Sequence, residues 1–585
     1  MIQDEQFLER LMDVFVDFSW TEALPLVLQV TAWASLSRTG TLSAHLRLLS
    51  QMDLSPQEQI ENFKRVQPLI SVQLTSASWK ADAPLAQHLP LLIERVIRLE
   101  KQGLRTWCAD DLLYWSSESI TGTNAIAPSL ATFLVSLATT GGADEIYLPW
   151  EKSGQLAARC SRKGIKCRIE STTPTVVKLI LAQVSTEHSH VHGHDPVLSP
   201  MDSGSGQLKQ FPVSLSILEQ ARRFSIVNKE NDHYDRFPAK IHLNPVIALG
   251  HLLTQTQGKI VVVVPNDLLF SAGAERKLRT DLLHERMIHT VISLPDGLFS
   301  GTPTATSVLI LDTVKRSDSV RFVKVTDEFT TSDSENRVAL IRLPHLLSAV
   351  RNRDNNSMAI NVAASDISPD DCNLEVSRYL ADEKARKLTA ALSVQPTDKL
   401  IDHFDLVRAR QYVTTAHGVS VHEIQAADLP EFGYVTTTTK DSLFDLSATK
   451  ALNYFVQKND IVICVKGAVG KVGIVKNAPD SGSSGWVVGQ SLAILRARPS
   501  GHYDPRAVMV YLRSPMGQAQ LSRLTVGSSI PTIQGAALKE LEIPTMNLFQ
   551  QGMAIEALEN EASIQFEIAT LHQKQSQFAS ALWKL

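Results

Sequence analysis

The sequence predicts an α/β protein built in series. A helical N-terminal bundle over residues 1–120 is followed by a doubly wound sheet over 121–345 and a connector over 346–397. An α+β domain over 398–546 and a long C-terminal helix over 547–585 complete it. Three observations predict this order. Apolar residues recur at helical spacing near the N-terminus, strand-like runs alternate with helical stretches in the middle, and after residue 399 the texture turns to short β-type runs with Gly-rich turns. At 585 residues the chain is too long for a single core and suits several domains of ordinary size.

The first element rests on Phe7, Leu11, Val14 and Phe15, and then on Leu89, Leu92, Ile93 and Val96, all at helical spacing. The sheet rests on runs at 145–148, 166–169, 210–215, 259–264, 289–294 and 307–311, with helical patterns between them. The charged and polar stretch that follows ends in a Lys/Ala/Glu-rich helix near 381–392 and reads as the connector. Beyond it, Asp460-Ile461-Val462-Ile463-Cys464 and then Lys466-Gly467-Ala468-Val469-Gly470-Lys471 read as a strand and a glycine turn. After Gly552 the chain has neither Gly nor Pro and carries Ile564, Ile568, Leu571, Phe578 and Leu582 in near-heptad register, which predicts a long packing helix.

Composition narrows the class. Hydrophobic residues make up 44% and charged residues 20%, the balance of a soluble globular protein. The apolar runs, such as 260–264, are strand-length and predict no membrane span. The N-terminus lacks the basic-then-apolar order of a secretion signal, so the expected location is cytoplasmic. Cys108, Cys160, Cys167, Cys372 and Cys464 are scattered without zinc spacing, which predicts reduced thiols and no metal site. A net charge of −4 excludes a general basic coat and leaves room for a local basic surface.

The run from Gly258 through Ile260-Val261-Val262-Val263-Val264-Pro265-Asn266-Asp267-Leu268-Leu269-Phe270, then Gly273, Glu275 and Arg279, then Ile292-Ser293-Leu294-Pro295-Asp296-Gly297-Leu298-Phe299 with Thr302, resembles type I modification subunits. These are adenine-specific DNA methyltransferases. Asn373-Leu374-Glu375-Val376-Ser377-Arg378-Tyr379-Leu380 is similar to the same family's Asn-Leu-x-x-x-Arg-Tyr element. The resemblance implies a Rossmann-like methyltransferase fold, with S-adenosylmethionine as the cofactor of active members. Those members need an Asp-Pro-x-x-Gly-Ser/Thr-Gly loop after the first strand, whose glycines admit the cofactor. Here Pro149, Ser153 and Gly154 stand in the matching places, but Leu148 replaces the acid and Lys152 puts a Cβ where it would crowd the cofactor. Glu170 and Asp195 fall where acids hold the ribose and the adenine side; the two are either vestigial cofactor-binding residues or solvated acids at strand ends. The Asn-Pro-Pro-aromatic run that holds a flipped adenine is replaced by Phe211-Pro212-Val213-Ser214-Leu215-Ser216 leading into Ile217-Leu218-Glu219-Gln220, and Asn244-Pro245 belongs by spacing to the next helix. The expectation is a pseudo-methyltransferase with no catalytic residues and no cofactor.

Val456 to Ile463 with Lys466-Gly467 and Gly470-Lys471, then Gly527-Ser528-Ser529-Ile530-Pro531-Thr532-Ile533, then Leu538, Leu541, Ile543-Pro544 and Gln551, resembles one target recognition domain of a type I specificity subunit with its long helix. That implies contact with double-stranded DNA. The candidate DNA-binding residues are Arg408, Lys440, Lys466, Gly467, Gly470, Lys471, Ser528, Ser529 and Thr532. Lys466 and Lys471 bracket either a phosphate-binding turn or an ordinary hairpin. Ser528-Ser529 and Thr532 form either a DNA contact or an ordinary turn, and Thr436 to Lys440 is either an edge strand or a groove-facing loop. Arg408 and Arg410 have the fork that guanine accepts. The function expected is a DNA-binding, catalytically degenerate specificity protein of a bacterial restriction-modification or phage-defence system. Its partners would be DNA and defence subunits such as a nuclease, ATPase or methylase. A single recognition domain implies either a homodimer through the last helix or one undivided site. The alternatives are an active S-adenosylmethionine-dependent adenine methyltransferase with divergent motifs and a scaffold that binds no DNA.

Overall fold

A computed structural model describes residues 11–582 apart from 12, 16, 19, 71–82, 102–124, 185–188, 203–205, 219–231, 233, 235, 238–243, 300–304, 333–337, 370, 381–387, 389–391, 393–394, 410–417, 447–450 and 527–530. Phe7, Cys108, Glu219, Gln220, Thr302, Arg410, Ser528, Ser529 and most of the expected 381–392 helix therefore lie outside the described residues. The chain divides into two compact units, 1–380 and 381–585.

In the first unit, alternation along the strands builds a sheet buried on both faces. The strands are β1 (Glu145–Pro149), β2 (Lys166–Glu170), β3 (Ser189–His192), β4 (Phe211–Ile217), β5 (Thr256–Pro265), β6 (Ile288–Ser293), β7 (Thr306–Asp312), β8 (Ser319–Lys324), a β9–β10 hairpin (Thr330–Ser332 with Val338–Leu340) and β11 (Ala359–Ala363). Among the described residues the main sheet has nine strands in the order β3-β2-β1-β4-β5-β7-β6-β8-β11. β7 and β11 run antiparallel to their neighbours. On β5, Val261 and Val263 enter one core while Ile260, Val262 and Val264 enter the core on the opposite face, the two-residue period of a strand covered on both sides.

Helices cover these faces: α1 (Trp20–Arg38), α2 (Pro56–Ile70), α3 (Ala83–Lys101), α4 (Pro128–Thr139), α5 (Gln155–Arg162), α6 (Pro174–Leu181), α7 (Asn244–Gln255), α8 (Ala274–His284), α9 (Leu343–Arg351) and α10 (Val376–Tyr379). The N-terminal helices share one continuous core with the sheet, because Leu24, Trp33, Phe63 and Leu92 join the cluster that holds Ile146 and Val261. Asn244 opens α7, in agreement with the helical reading of Asn244-Pro245.

The stretch expected to be a connector is instead partly built into this unit. β11 pairs along β8 from Ala359 to Ala363, and Leu374 and Val376 are core residues. What fixes it is Arg279 on α8, which is 2% exposed. Its guanidinium donates to the carbonyls of Cys372 (2.8 Å), Leu268 (2.7 Å), Ser271 (2.8 Å) and Asp371 (3.0 Å). It thereby staples the turn after β5 to the segment before α10. Tyr379 completes the fastening by stacking on Phe322 at 4.0 Å and donating to the Asn373 carbonyl. Arg279 and the Asn373–Tyr379 element thus form one structural device.

Glu375 is trapped beside this staple. It is 5% exposed, Oε2 has no hydrogen-bond partner among the described residues, and burial pushes the carboxyl up to about 7. The folded state then holds a proton that the unfolded state releases near 4.5, so stability falls as pH rises through that window. Glu375→Gln should reduce the stability lost between pH 5 and pH 8 by roughly 3 kcal/mol. Urea unfolding at both pH values checks this; an unchanged difference would mean that the carboxyl is solvated in the folded state.

The second unit carries a four-stranded sheet in the order β13 (Phe404–Arg408), β19 (Leu492–Ala497), β16 (Ile461–Cys464), β17 (Val472–Ile474), and a three-stranded sheet in the order β15 (Lys440–Phe444), β14 (Val419–Ile424), β18 (Trp486–Val488). Short pairs join β12 (Thr397–Lys399) to β22 (Glu542–Pro544) and β20 (Thr525–Val526) to β21 (Thr532–Ile533). Its helices are α11 (Leu400–His403), α12 (Pro505–Arg513), α13 (Pro515–Leu524), α14 (Gly535–Lys539) and α15 (Leu548–Leu582). The start of α15 packs through Leu558 and Ala562 and is held by Tyr434, which donates to Glu559 at 2.6 Å. Farther along, Ile564, Ile568, Leu571 and Phe578 are exposed. The predicted helix is present, but only its first part is packed within this unit.

Candidate functional site

The strand order of the first unit reverses between β1 and β4, and an open α/β sheet places its ligand crevice at the C-terminal ends of such strands. Here the crevice is formed by the turn after β1 and the end of β4, with Pro149, Trp150, Lys152, Ser153, Ser216 and Ile217 among its walls, and its volume is about 40 Å³. The turn is folded on itself. Glu151 Oε1 accepts from the Gly154 N–H at 2.6 Å and from the Ser153 hydroxyl at 3.2 Å, and burial pushes the Glu151 carboxyl up to about 7. Gly154 has φ +76°, and a Cβ there would lie 3.0 Å from that of Ile180, so glycine is required by packing as well as by backbone. Pro149 is fixed from β4, whose Ser216 hydroxyl donates to its carbonyl at 3.0 Å. Trp150 adopts φ +57°, a costly conformation for a bulky residue, with its indole edge-on to His251 at 5.4 Å.

Behind this turn lies a buried polar network. Arg236 Nη1 can only donate, so His251 Nδ1, 3.1 Å away, accepts. The His251 proton therefore resides on Nε2 and is donated to the Tyr147 oxygen at 2.8 Å, and Tyr147 donates in turn to Glu170. His194 Nε2 reaches the other oxygen of Glu170 at 2.7 Å, and Arg236 is anchored by Asp232 at 2.8 Å. Burial raises the Glu170 carboxyl and the Tyr147 phenol, and burial with the Arg236 charge drives His251 well below its ordinary range. The solvated-acid reading of Glu170 is therefore incorrect: its side chain is fully buried and both oxygens are engaged. Asp195 caps a turn by accepting from the Val197 N–H at 2.9 Å. Sequence reasoning missed Tyr147, Glu151, His194, Arg236 and His251. The available signal was Tyr147 on a strand whose neighbours are apolar, since a buried phenol needs a partner.

In the second unit one end of the four-stranded sheet gathers part of the predicted DNA set. Lys466 pairs with Thr532 across an antiparallel bridge, and the Gly467 N–H donates to the Pro531 carbonyl at 2.8 Å. Gly467 and Gly470 both have positive φ, so the turn is held in a form that favours glycine. Lys466 is exposed, with no side-chain partner among the described residues, whereas Lys471 donates to the Ala426 carbonyl at 3.1 Å. Arg408 lies at the end of β13, across β19 from Ile463, with its guanidinium over Gly535. Lys440 is not part of this cluster. It begins edge strand β15 of the other sheet and pairs at 3.1 Å with Glu423, whose carboxylate is buried; the Thr436–Thr439 run before it is irregular. A groove of about 700 Å³ opens beside the glycine turn, but its Arg513 is already bound to three carbonyls and Glu561.

Residues 223–388 match the model of the N-6 DNA methylase family. A methylase subunit of the type I restriction enzyme MpnII from Mycoplasma pneumoniae is 25% identical over 167 residues, covering 28% of this chain and 31% of that protein. The chain thus spans about a third of the length of this curated relative. Among solved structures, a type I restriction-modification methyltransferase subunit from Streptococcus thermophilus aligns with 64% of this chain and 98% of its own, at 14% identity and a TM-score of 0.51. The chain carries a methyltransferase-like domain with a Rossmann-like fold. Residues 145–218, which hold the turn after β1 and the end of β4, precede the family match. No helix among the described residues is long and apolar enough to cross a membrane.

Proposed function

We propose that this chain is a DNA-binding subunit of a restriction-modification or defence system that keeps the methyltransferase fold and no longer transfers methyl groups. One observation carries the reading: among the described residues the crevice at the strand-order reversal holds about 40 Å³, whereas small-molecule and cofactor sites run from about 300 Å³ upward. S-adenosylmethionine does not fit the residues present. Glu151 folds the turn onto itself where the cofactor would approach, Lys152 stands in place of a smaller residue, and Glu170 is committed to Tyr147 and His194. Recognition is assigned to the second unit, where Lys466 meets Thr532 and Gly467 meets Pro531 in a solvent-facing turn. The resemblance of that unit to a target recognition domain supports the assignment, and the effector is a separate defence subunit.

The experiment is calorimetric titration of the full chain with S-adenosylmethionine, alongside incubation with the labelled cofactor and mixed-sequence duplex. The expected results are no saturable heat and no labelled adenine, with a gel shift of duplex at low salt. Saturable cofactor binding or methylated adenine would favour the second reading, an active adenine methyltransferase. That reading has one observation in its favour, the match of residues 223–388 to a DNA methylase family.

A further inference from the structure

The cations of the second unit differ in whether their donors are already engaged. Arg496 is bidentate to the buried Asp460, Arg498 donates to Asp405, Arg506 to Asp504, and Arg513 to three carbonyls. Lys440 is neutralised by Glu423. Arg408 is different: its side chain is exposed, and among the described residues its guanidinium meets no carboxylate or carbonyl. Its guanidinium lies against Gly535. A Cβ at Gly535 would lie 2.5 Å from Cζ and Nε of Arg408, so the guanidinium occupies the space that a side chain at 535 would need, and Gly535 is buried beneath it.

The same short segment connects this arginine to the glycine turn. Pro531 and Thr532 pair with Gly467 and Lys466, Ile533 N–H donates to the Val465 carbonyl at 2.8 Å, and two residues later Gly535 seats Arg408. Arg408 and Lys466 therefore flank one strand at one end of the sheet. An exposed guanidinium with no donor engaged among the described residues presents a planar fork, and such a fork matches the O6 and N7 acceptors of guanine in the major groove. An ammonium such as Lys466 has no fixed direction and serves phosphate better.

We infer that Arg408 is the specificity-determining residue of the recognition surface, reading a guanine base, with Gly535 leaving the space that its guanidinium occupies and Lys466 as a phosphate-backbone contact. This inference rests on the proposed DNA-binding function. The test is selection of bound duplexes from a randomised pool by the full chain, followed by salt titration of binding to the selected and to unrelated duplexes. The unaltered protein should enrich a motif containing a G·C pair, and Arg408→Ala should reduce discrimination at that one pair about tenfold to a hundredfold. The salt slope on unrelated DNA should be unchanged by Arg408→Ala, whereas Lys466→Ala should flatten it by about 0.9. Arg408→Lys keeps the charge and should lose the discrimination equally, which guards against an effect of charge alone. Gly535→Ala should reproduce the loss with Arg408 still present, and adding it to Arg408→Ala should cost nothing more. If Arg408→Ala weakens all sequences alike and flattens the salt slope, Arg408 is a phosphate contact and the inference fails while the DNA-binding function stands. If the unaltered protein shifts no duplex at all, both fail.

Discussion

Arg279→Ala is expected to lower the stability of the 1–380 unit by about 3–5 kcal/mol, because it strips donors from the carbonyls of Leu268, Ser271, Asp371 and Cys372 together. Burial disfavours the charged guanidinium and pulls it down to about 10, so this arginine is retained for its geometry. Its planar guanidinium makes four hydrogen bonds to carbonyls on two segments, which an ammonium with three donors cannot do. Arg279→Lys should recover only part of the loss. Urea unfolding followed by circular dichroism measures both variants. A loss below about 1 kcal/mol for the alanine variant would show that water replaces the guanidinium without cost, and would remove the staple as the reason why β11 and α10 belong to this unit.

Arg236→Ala should cost a similar amount, about 3–5 kcal/mol, for a different reason. The side chains of Arg236 and Asp232 are 4% and 0% exposed, so removing the cation leaves a buried carboxylate with its partner gone. His251 also loses the donor at Nδ1 that fixes its tautomer, and with it the ordered chain through Tyr147 to Glu170. Replacing both members of the pair with apolar residues, Arg236→Met with Asp232→Leu, should recover most of the stability, since an ion pair in the interior gains little over well-packed hydrophobic groups. If the single and double variants are equally unstable, the loss comes from packing and not from the unpaired charge. Neither variant should acquire affinity for S-adenosylmethionine, because the turn after β1 is closed independently by Glu151 and Gly154.

Much of the first unit was legible in the sequence. The runs at 145–148, 166–169 and 259–264 became strands because alternation and β-branched content are properties of neighbouring residues, and the two-residue period places them on both faces of the sheet. The altered turn after β1 was legible for the same reason: Leu148 and Lys152 are visible without knowing what surrounds them. The connector was misjudged because what recruits it to the sheet, Arg279, lies far away in the chain, and a charged residue on an amphipathic helix gives no local sign that it faces inward. The N-terminal helices were read as a separate bundle because helical spacing reports an apolar stripe and not what covers it.

The candidate site divides along the same line. The sequence by itself determined which residues of the second unit carry positive charge and where a glycine turn lies. Only the tertiary structure decided which of those charges are already engaged: Lys440 by Glu423 of the neighbouring strand, Lys471 by the Ala426 carbonyl, and Arg408 by neither acid nor carbonyl among the described residues. Likewise the sequence placed an acid at Glu170, and the fold supplied Tyr147 and His194 to engage it. The physical reason is that propensity and periodicity act over a few residues of chain. The desolvation and pairing of a charge depend instead on which distant segments close around it, and that is settled when the core packs.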